Sequence, residues 1–339
     1  MAVGILSDMT TFDQQFYGGF MDRVQTKLNI FNQESLGTMN LSALFHRGFY
    51  SEEAFFNNTM SIQDRDPNGV GVVTPDSIGS DSVKKVKLYK RIDAEQSLQS
   101  FRTQGLSQDE IGFQIGTHAG DLILKEWREG AVSALAGAFD IASLQAGGGD
   151  DLVLDISQTA GGGVFDVNTM IQAMPLFGDA NSRLKAVVMH SAVYWPMVAA
   201  ASGNLATPTT ADFAVQSGLP ATLGLPVIVV DSDALVIPNG NLAGNGPAYR
   251  TFILAEGAVK VEESEAPYTA TDTDLTKENA TMRFKTELAY SVGLKGISYT
   301  GVNDHPTKAE LATAASWTKK YASKRDLMGI QIKSVAVAN

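Results

Sequence analysis

The chain has 339 residues, of which 44% are apolar and 19% charged, with 37 acidic against 26 basic side chains and a net charge of −11. This length supplies ample core for one large or two ordinary domains, and the acidic balance argues against a dedicated nucleic-acid reader, which carries excess positive charge. The lack of any cysteine excludes disulfides, thiolate nucleophiles, zinc–thiolate sites and iron–sulfur clusters.

No stretch reaches roughly 18 uninterrupted apolar residues, so no membrane partner is expected. The segment Met1 to Asp8 has no basic region followed by an apolar run, so no signal peptide is expected and synthesis is placed in the cytoplasm. Residues 1–40 carry Phe12, Phe16, Tyr17, Phe20 and Phe31 with little regular period, and Gly18-Gly19 is expected to interrupt any helix. So many aromatics would be poorly soluble in a dangling arm. The arm is therefore expected to dock, with a neighbouring subunit as one place for Phe12 and Phe16.

An apolar patch follows (Leu41, Leu44, Phe45, Phe49, Tyr50, Phe55, Phe56), then the turn Asp66-Pro67-Asn68-Gly69 and the strand-like Val70 to Pro75. After a second turn region, Asp76 to Asp81, comes a basic stretch, Val83 to Ile92. It holds Lys84, Lys85, Lys87, Lys90 and Arg91 and no acid. Lys85 and Lys87 alternate with Val86 and Leu88, as in a strand with one wet face. The two extended segments are read as a long hairpin. Its lysines have three readings: contact with nucleic acid or an acidic partner, an exposed face that discourages wrong edge pairing, or contact with acidic patches of an adjacent copy, which sets orientation more than affinity. The third is preferred.

Ser107-Gln108-Asp109-Glu110 forms a capping-box pattern. Behind it, Ile111, Ile115, Leu122, Ile123, Trp127, Val132, Leu135, Phe139 and Leu144 keep helical spacing. No clear stop appears before Gly147-Gly148-Gly149, which predicts an unusually long helix, about 55–60 Å over 108–145. Gly112, Gly116 and Gly120 share one face of it. Each costs roughly 1 kcal/mol relative to alanine, so three in register suggest the close approach of another backbone, a crossing neighbour; the alternative is a frayed or bent first third.

From 165 onward the pattern is α/β. Asp166 is expected to cap a helix containing Met170, Ile171, Met174 and Leu176 that ends at Gly178. Leu184 to Met189 reads as a buried strand. Ser191 is expected to cap a second helix with Tyr194, Trp195 and Met197 and with Pro196 near its first turn. Gly224-Leu225-Pro226 leads into the strand Val227 to Val230. Long strands are expected at Thr251 to Leu254, Ala258 to Val261 and Thr281 to Tyr299. The tail gives a short helix after Pro306, a basic cluster (Lys319, Lys320, Lys324, Arg325) and a last strand, Ile330 to Val337.

Patterns for catalytic chemistry are few. There is no Walker loop and no Gly-x-Ser-x-Gly elbow. The glycine runs Gly69 to Gly71, Gly147 to Gly149 and Gly161 to Gly163 lack the strand, helix and acid of a dinucleotide site. The four histidines, His46, His118, His190 and His305, have no ligand spacing. His190 beside Ser191 has an acid–base reading, but a helix start next to a partly buried histidine is preferred. Asp231, Asp233, Glu262, Glu263 and Glu265 lack the remaining ligands of a calcium loop and are read as solvated loop charges. No catalytic, cofactor or metal residue is assigned.

Four stretches in order resemble the major capsid proteins of tailed bacteriophages, which share the Hong Kong 97-type fold with encapsulins. They are the extended arm plus long helix over 65–147; Ala186-Val187-Val188-Met189-His190-Ser191-Ala192-Val193-Tyr194; Leu223-Gly224-Leu225-Pro226-Val227-Ile228-Val229-Val230-Asp231; and the paired strands around Val259 to Glu263 and Met282 to Tyr299. The tail from Asn303 to Thr313 with Trp317 is similar to a subset of the same proteins. The resemblance implies an α+β fold with an N-terminal arm (1–40), an E-loop hairpin region (41–100), a P-domain whose first part carries a spine helix (101–165), an α/β A-domain (166–258), and a second P-domain part with the tail (259–339).

By the same resemblance the chain is expected to be no enzyme but a structural protein of the virion capsid, assembled in the host cytoplasm as pentamers and hexamers into an icosahedral shell. The shell would enclose phage double-stranded DNA without sequence-specific binding, an acidic wall being one that does not trap its contents. Portal and decoration proteins are implied partners. The arm leaves no room for a fused scaffolding segment, so a separate scaffold is expected. The family's lysine–asparagine cross-link is assigned to no pair here. Inter-subunit contact candidates are Lys84, Lys85, Lys87, Lys90, Arg91, Gly112, Gly116, Gly120, Phe12 and Phe16. The alternatives are an encapsulin-like compartment and an α/β enzyme using His190.

Overall fold

A computed structural model describes residues 4–43, 48–57, 64–65, 67–72, 76, 79–97, 108–159, 163–201, 215–216, 222–238, 240, 246–274, 276, 278 and 280–336. In chain order the elements are α1 (Gly4–Glu34), β1 (Met39–Ala43), β2 (Tyr50–Asn57), β3 (Gly79–Ser97) and α2 (Gln108–Phe139). Then come β4 (Val153–Asp155), α3 (Val167–Ala173), β5 (Leu184–Met189), α4 (Ser191–Ala201), β6 (Val215–Gln216), β7 (Val227–Val229) and β8 (Val236–Ile237). The last third holds β9 (Ala248–Ala255), β10 (Val259–Asp274), β11 (Thr281–Leu294), β12 (Ile297–Tyr299), α5 (Lys308–Leu311), β13 (Trp317–Lys319) and β14 (Gly329–Ser334).

The strands form two seven-stranded sheets. In the first, β10 and β11 run antiparallel, β1 lies parallel on the outside of β10, and β12 and β13 extend the other side. β3 pairs with β11 over 86–97 and with β2 over 79–86, so one strand belongs to the body and to a hairpin. The β10–β11 register slips twice between Glu263 and Tyr268, where Pro267, which has no amide to give, suits a bulge. The second sheet is ordered β4-β14-β9-β5-β7-β6, with β8 on β9. Its central β5 reads Ala-Val-Val-Met, all buried, the near-continuous apolar run of a strand covered on both faces.

α2 joins the sheets. Towards its middle, Trp127 packs on Tyr290 of β11 with ring centroids 6.3 Å apart; at its end Phe139 stacks on Phe252 of β9 at 5.3 Å. Ala131, Val132, Ala134, Leu135, Ala136, Ala138 and Phe139 are fully buried, an apolar surface all round, as a helix buried on every side requires. Gly137 permits the tightest crossing there: a Cβ would stand 2.2 Å from the Leu311 carbonyl oxygen. The nearby Trp317 Nε1 donates to that same carbonyl at 2.7 Å.

Several expectations are corrected. α2 has 32 residues, about 48 Å, and stops at Phe139 rather than near Gly147. There the Asp140 carboxylate takes Arg250 at 2.6 Å and Lys333 at 3.2 Å, and the Gln145 side chain donates to the Phe139 carbonyl at 2.5 Å. These contacts turn the chain into the short 3₁₀ turn Ala142–Leu144. Ser107 of the expected capping box lies outside the described residues.

The N-terminal stretch is not irregular: α1 runs through Gly18-Gly19 for 31 residues. The hairpin partner of the basic strand is β2, not Val70 to Pro75; residues 69–72 are exposed without strand pairing. α4 is capped by His190, whose Nδ1 accepts from the Ala192 amide at 3.0 Å, while Asp231 accepts from the Ser191 amide at 3.1 Å.

Asp166 does cap α3, accepting from the Thr169 amide at 2.8 Å. Burial opposes the charge, but the Thr169 and Asn168 hydrogen bonds outweigh it and hold the carboxyl below its usual range. Asp166→Ala is expected to lower stability by about 1 kcal/mol, seen as a lower denaturant midpoint, with Asp166→Asn retaining most of it.

Candidate assembly surfaces

The β2–β3 hairpin projects from the first sheet, its arms in register from Tyr50 opposite Val86 to Asn57 opposite Gly79. Phe56 is 80% exposed, and Val70 and Val72 beyond the paired arms are fully exposed. The root is fastened. The Lys84 amide donates to Ser298 Oγ at 3.0 Å, Phe55 meets Tyr321 edge-on at 4.6 Å, and Lys320 pairs with Asp81 at 3.1 Å. Tyr50 donates to Asp304. Burial, then that carboxylate, pushes the Tyr50 hydroxyl up to about 12.

The lysines expected on a wet face include two buried ones. Lys85 is 3% exposed and its Nζ lies 2.8 Å from Glu262 and 2.7 Å from Glu53; Lys87 is 1% exposed and 2.6 Å from Glu265. Burial disfavours the Lys85 ammonium, but the two carboxylates outweigh it and raise its pKa. Burial likewise opposes the Glu53 charge, and Lys85 and Lys260 outweigh it, holding that carboxyl below its ordinary range. Glu53 binds Lys260 at 3.2 Å as well, so the hairpin is pinned to β10 by a chain of alternating charge.

The remaining cations of β3 are more open. Lys84 sits over the Tyr50 ring at 4.5 Å and 3.8 Å from Glu52. Lys90 pairs with Glu126 of α2 at 3.0 Å, and Arg91, largely exposed, with Asp93 at 3.0 Å. Alternation showed which residues share a face but not what covers it. Glu262 and Glu265, read as solvated loop charges, lie in β10 and supply the cover; the signal available was that an acid-free row of five cations in an acidic chain needs a carboxylate row somewhere.

Gly112, Gly116 and Gly120 are buried on one face of α2, and the backbone crossing there is the chain's own α1. A Cβ on Gly116 would stand 2.2 Å from the Phe16 carbonyl oxygen, one on Gly19 of α1 2.5 Å from that of Phe113, and one on Gly120 3.4 Å from Arg23 and Val24. Arg23 and Lys27 close the crossing on Asp121 at 2.8 and 2.9 Å. Tyr17 Oη donates to the Pro267 carbonyl and accepts from the Thr269 amide, which seats α1 on the β10 bulge. Phe16 is buried beneath, 5.6 Å from Phe284. Phe12 falls in α1, with its side chain outside the described set.

The acid–base reading of His190 finds a structural arrangement instead. Its Nδ1 is occupied by the Ala192 amide, its ring lies 5.1 Å from Tyr249, and Asp231 stands 3.7 Å away. Among the described residues no group of three His, Asp or Glu side chains is arranged to hold a metal, and no helix is long and apolar enough to cross a membrane.

A long helix bridging an α/β sheet and a β-rich sheet, with a hairpin thrown out from the latter, is the Hong Kong 97-type fold of tailed-phage capsid proteins. Solved structures agree: the cyanophage Pam1 capsid matches with a TM-score of 0.50 over 87% of each chain at 11% identity. The capsid of Ralstonia phage GP4 matches with a TM-score of 0.50 over 88% of this chain and 87% of that one at 8% identity. The chain belongs to the major capsid protein 13-like family, which its residues 8–331 match. It is also 27% identical over 215 residues to the major capsid protein of Bacillus phage SPP1, a match covering 62% of this chain and 61% of that protein's length.

Proposed function

We propose that this chain is the repeating subunit of an icosahedral phage head, assembling as pentamers and hexamers around double-stranded DNA, with no catalytic step. The observation that carries this reading is the projecting hairpin, fastened at its root and exposing the apolar Phe56, Val70 and Val72. Such a feature serves contact with another copy better than it serves a single subunit. In this reading residues 166–258 pack around the capsomer axes and the hairpin lies over a neighbour. Lys84 in the hairpin, and Lys90 and Arg91 further along β3, are the more exposed cations of that strand and serve to steer the contact. Each interface needs to contribute only a few kcal/mol, because many copies close one symmetric surface. The net charge of −11 gives walls that do not grip the genome. A portal, a separate scaffold and decoration proteins are the further partners this role calls for, and the virion is the location.

Electron microscopy of the purified protein tests the reading: closed shells are expected, and a monodisperse small oligomer with no shells overturns it. Shells filled with a protein cargo rather than DNA would favour an enzyme compartment. A second test uses the hairpin. Asn57 and Gly79 are paired across its arms, so 58–78 can be replaced by a two-residue Asn-Gly turn. The variant is expected to fold with unchanged circular dichroism and to form no shells; normal shells would remove the hairpin from assembly.

A further inference from the structure

The root of the hairpin encloses a pocket that the assembly reading leaves unused. It is a cavity of about 320 Å³ between β2, β3, the end of β11 with the turn that follows it, and the start of β10. Its lining includes Lys85, Lys260 and Lys295 and one carboxylate, Glu53, while Glu262, outside the lining, also pairs with Lys85. That is a local excess of positive charge in a chain of net charge −11. Glycines 257, 293 and 296 lie in its lining: a Cβ on Gly293 would press to 2.7 Å from the Lys85 stem, and one on Gly296 to 2.7 Å from Leu327 and 2.9 Å from the Tyr321 ring.

The charges are unevenly satisfied. Lys85 has Glu262 and Glu53, and Lys260 has Glu53. Among the described residues Lys295 makes no ion pair; its Nζ donates to the Glu256 carbonyl at 2.9 Å. Burial, and after it the neighbouring Arg183, lowers the Lys295 pKa despite Asp326 and Glu256, the behaviour of a cation short of a counter-charge.

We propose that this pocket binds a small oxyanion, a carboxylate or a phosphate, against Lys295 and Lys260. Two sources offer that chemistry: free phosphate, or an acidic side chain of a second copy, the latter resting on the shell reading. The Phe55–Tyr321 wall suits either, since it gives apolar cover to one side of the anion and leaves the charged side to the lysines.

Competitive acetylation at mildly alkaline pH, read by peptide mass spectrometry, tests the site lysine by lysine. In dispersed subunits, millimolar inorganic phosphate at constant ionic strength is expected to slow labelling of Lys295 about threefold, the effect of a half-unit rise in its pKa. Exposed Lys125 serves as the internal reference, and Lys260→Ala is expected to abolish the protection. Protection that appears on assembly without phosphate, and that Lys260→Ala abolishes while shells still form, assigns the anion to a second copy's carboxylate. Labelling of Lys295 that responds neither to phosphate nor to assembly overturns the pocket. If no shells form, the phosphate arm still decides, so failure of the shell reading and failure of the site are told apart.

Discussion

Replacing Lys85 by methionine is expected to destabilise the subunit by about 3–5 kcal/mol, seen as a lower denaturant midpoint at unchanged slope. The ammonium is 3% exposed, and its partner Glu262 is 6% exposed. One Glu262 oxygen, Oε2, is already buried without a hydrogen-bond partner. Methionine fills the space of the lysine stem but leaves the carboxylate buried and uncompensated. The double variant Lys85→Met with Glu262→Leu removes both charges and is expected to regain most of the loss. A single-variant loss below about 1 kcal/mol would show that the carboxylate finds another partner.

The same cluster sets a pH window. The Lys85 pKa is raised, so its contribution is whole below the ordinary lysine value and is lost as pH climbs past about 10.4. The Glu53 pKa is lowered, so its contribution is present above the ordinary glutamate value and is lost as pH falls below about 4.3. Thermal midpoints of the wild type are expected to converge on those of Glu53→Gln only in that acid range. Convergence near neutrality would contradict the pairing.

Substituting alanine for glycine is expected to act with opposite signs at two sites of the α1–α2 pair. Gly116→Ala places a methyl 2.2 Å from the Phe16 carbonyl oxygen and 3.0 Å from its carbon. Both groups are helix backbone, so the helices must separate, and the variant is expected to lose about 1–3 kcal/mol despite the gain in helix propensity. Gly18 has nothing within 4 Å of a would-be Cβ, so Gly18→Ala is expected to gain up to about 1 kcal/mol. Thermal unfolding reads both. Stabilisation by Gly116→Ala would mean that α1 does not lie across α2 in solution.

The particular residues explain what was legible in the sequence. The strands at Leu184–Met189 and Val227–Val229 and the cap at Asp166 were readable because burial on both faces and capping are local signals. So was the short helix after Pro306, whose Thr307 and Glu310 form a reciprocal cap. Gly18-Gly19 has the local pattern of a break within α1; Gly19 is needed for the approach to Phe113, a tertiary reason that a local pattern does not carry. The glycines of α2 did announce a crossing, and the sequence alone did not say whether its partner came from the same chain. The burial of Lys85 and Lys87 is not legible locally, because the carboxylates that cover them from β10 lie 177 and 178 residues away.

β3 is one uninterrupted strand of 19 residues, about 60 Å long, paired with β2 on one edge and β11 on the other, the two ladders meeting at Val86. Along it no joint separates the protruding part from the body. A load applied near the hairpin's end would therefore meet no break in the strand before β11, whose Tyr290 packs on Trp127 of α2. In the proposed shell, such strands would carry internal pressure as woven cloth carries tension, along continuous threads rather than at its seams.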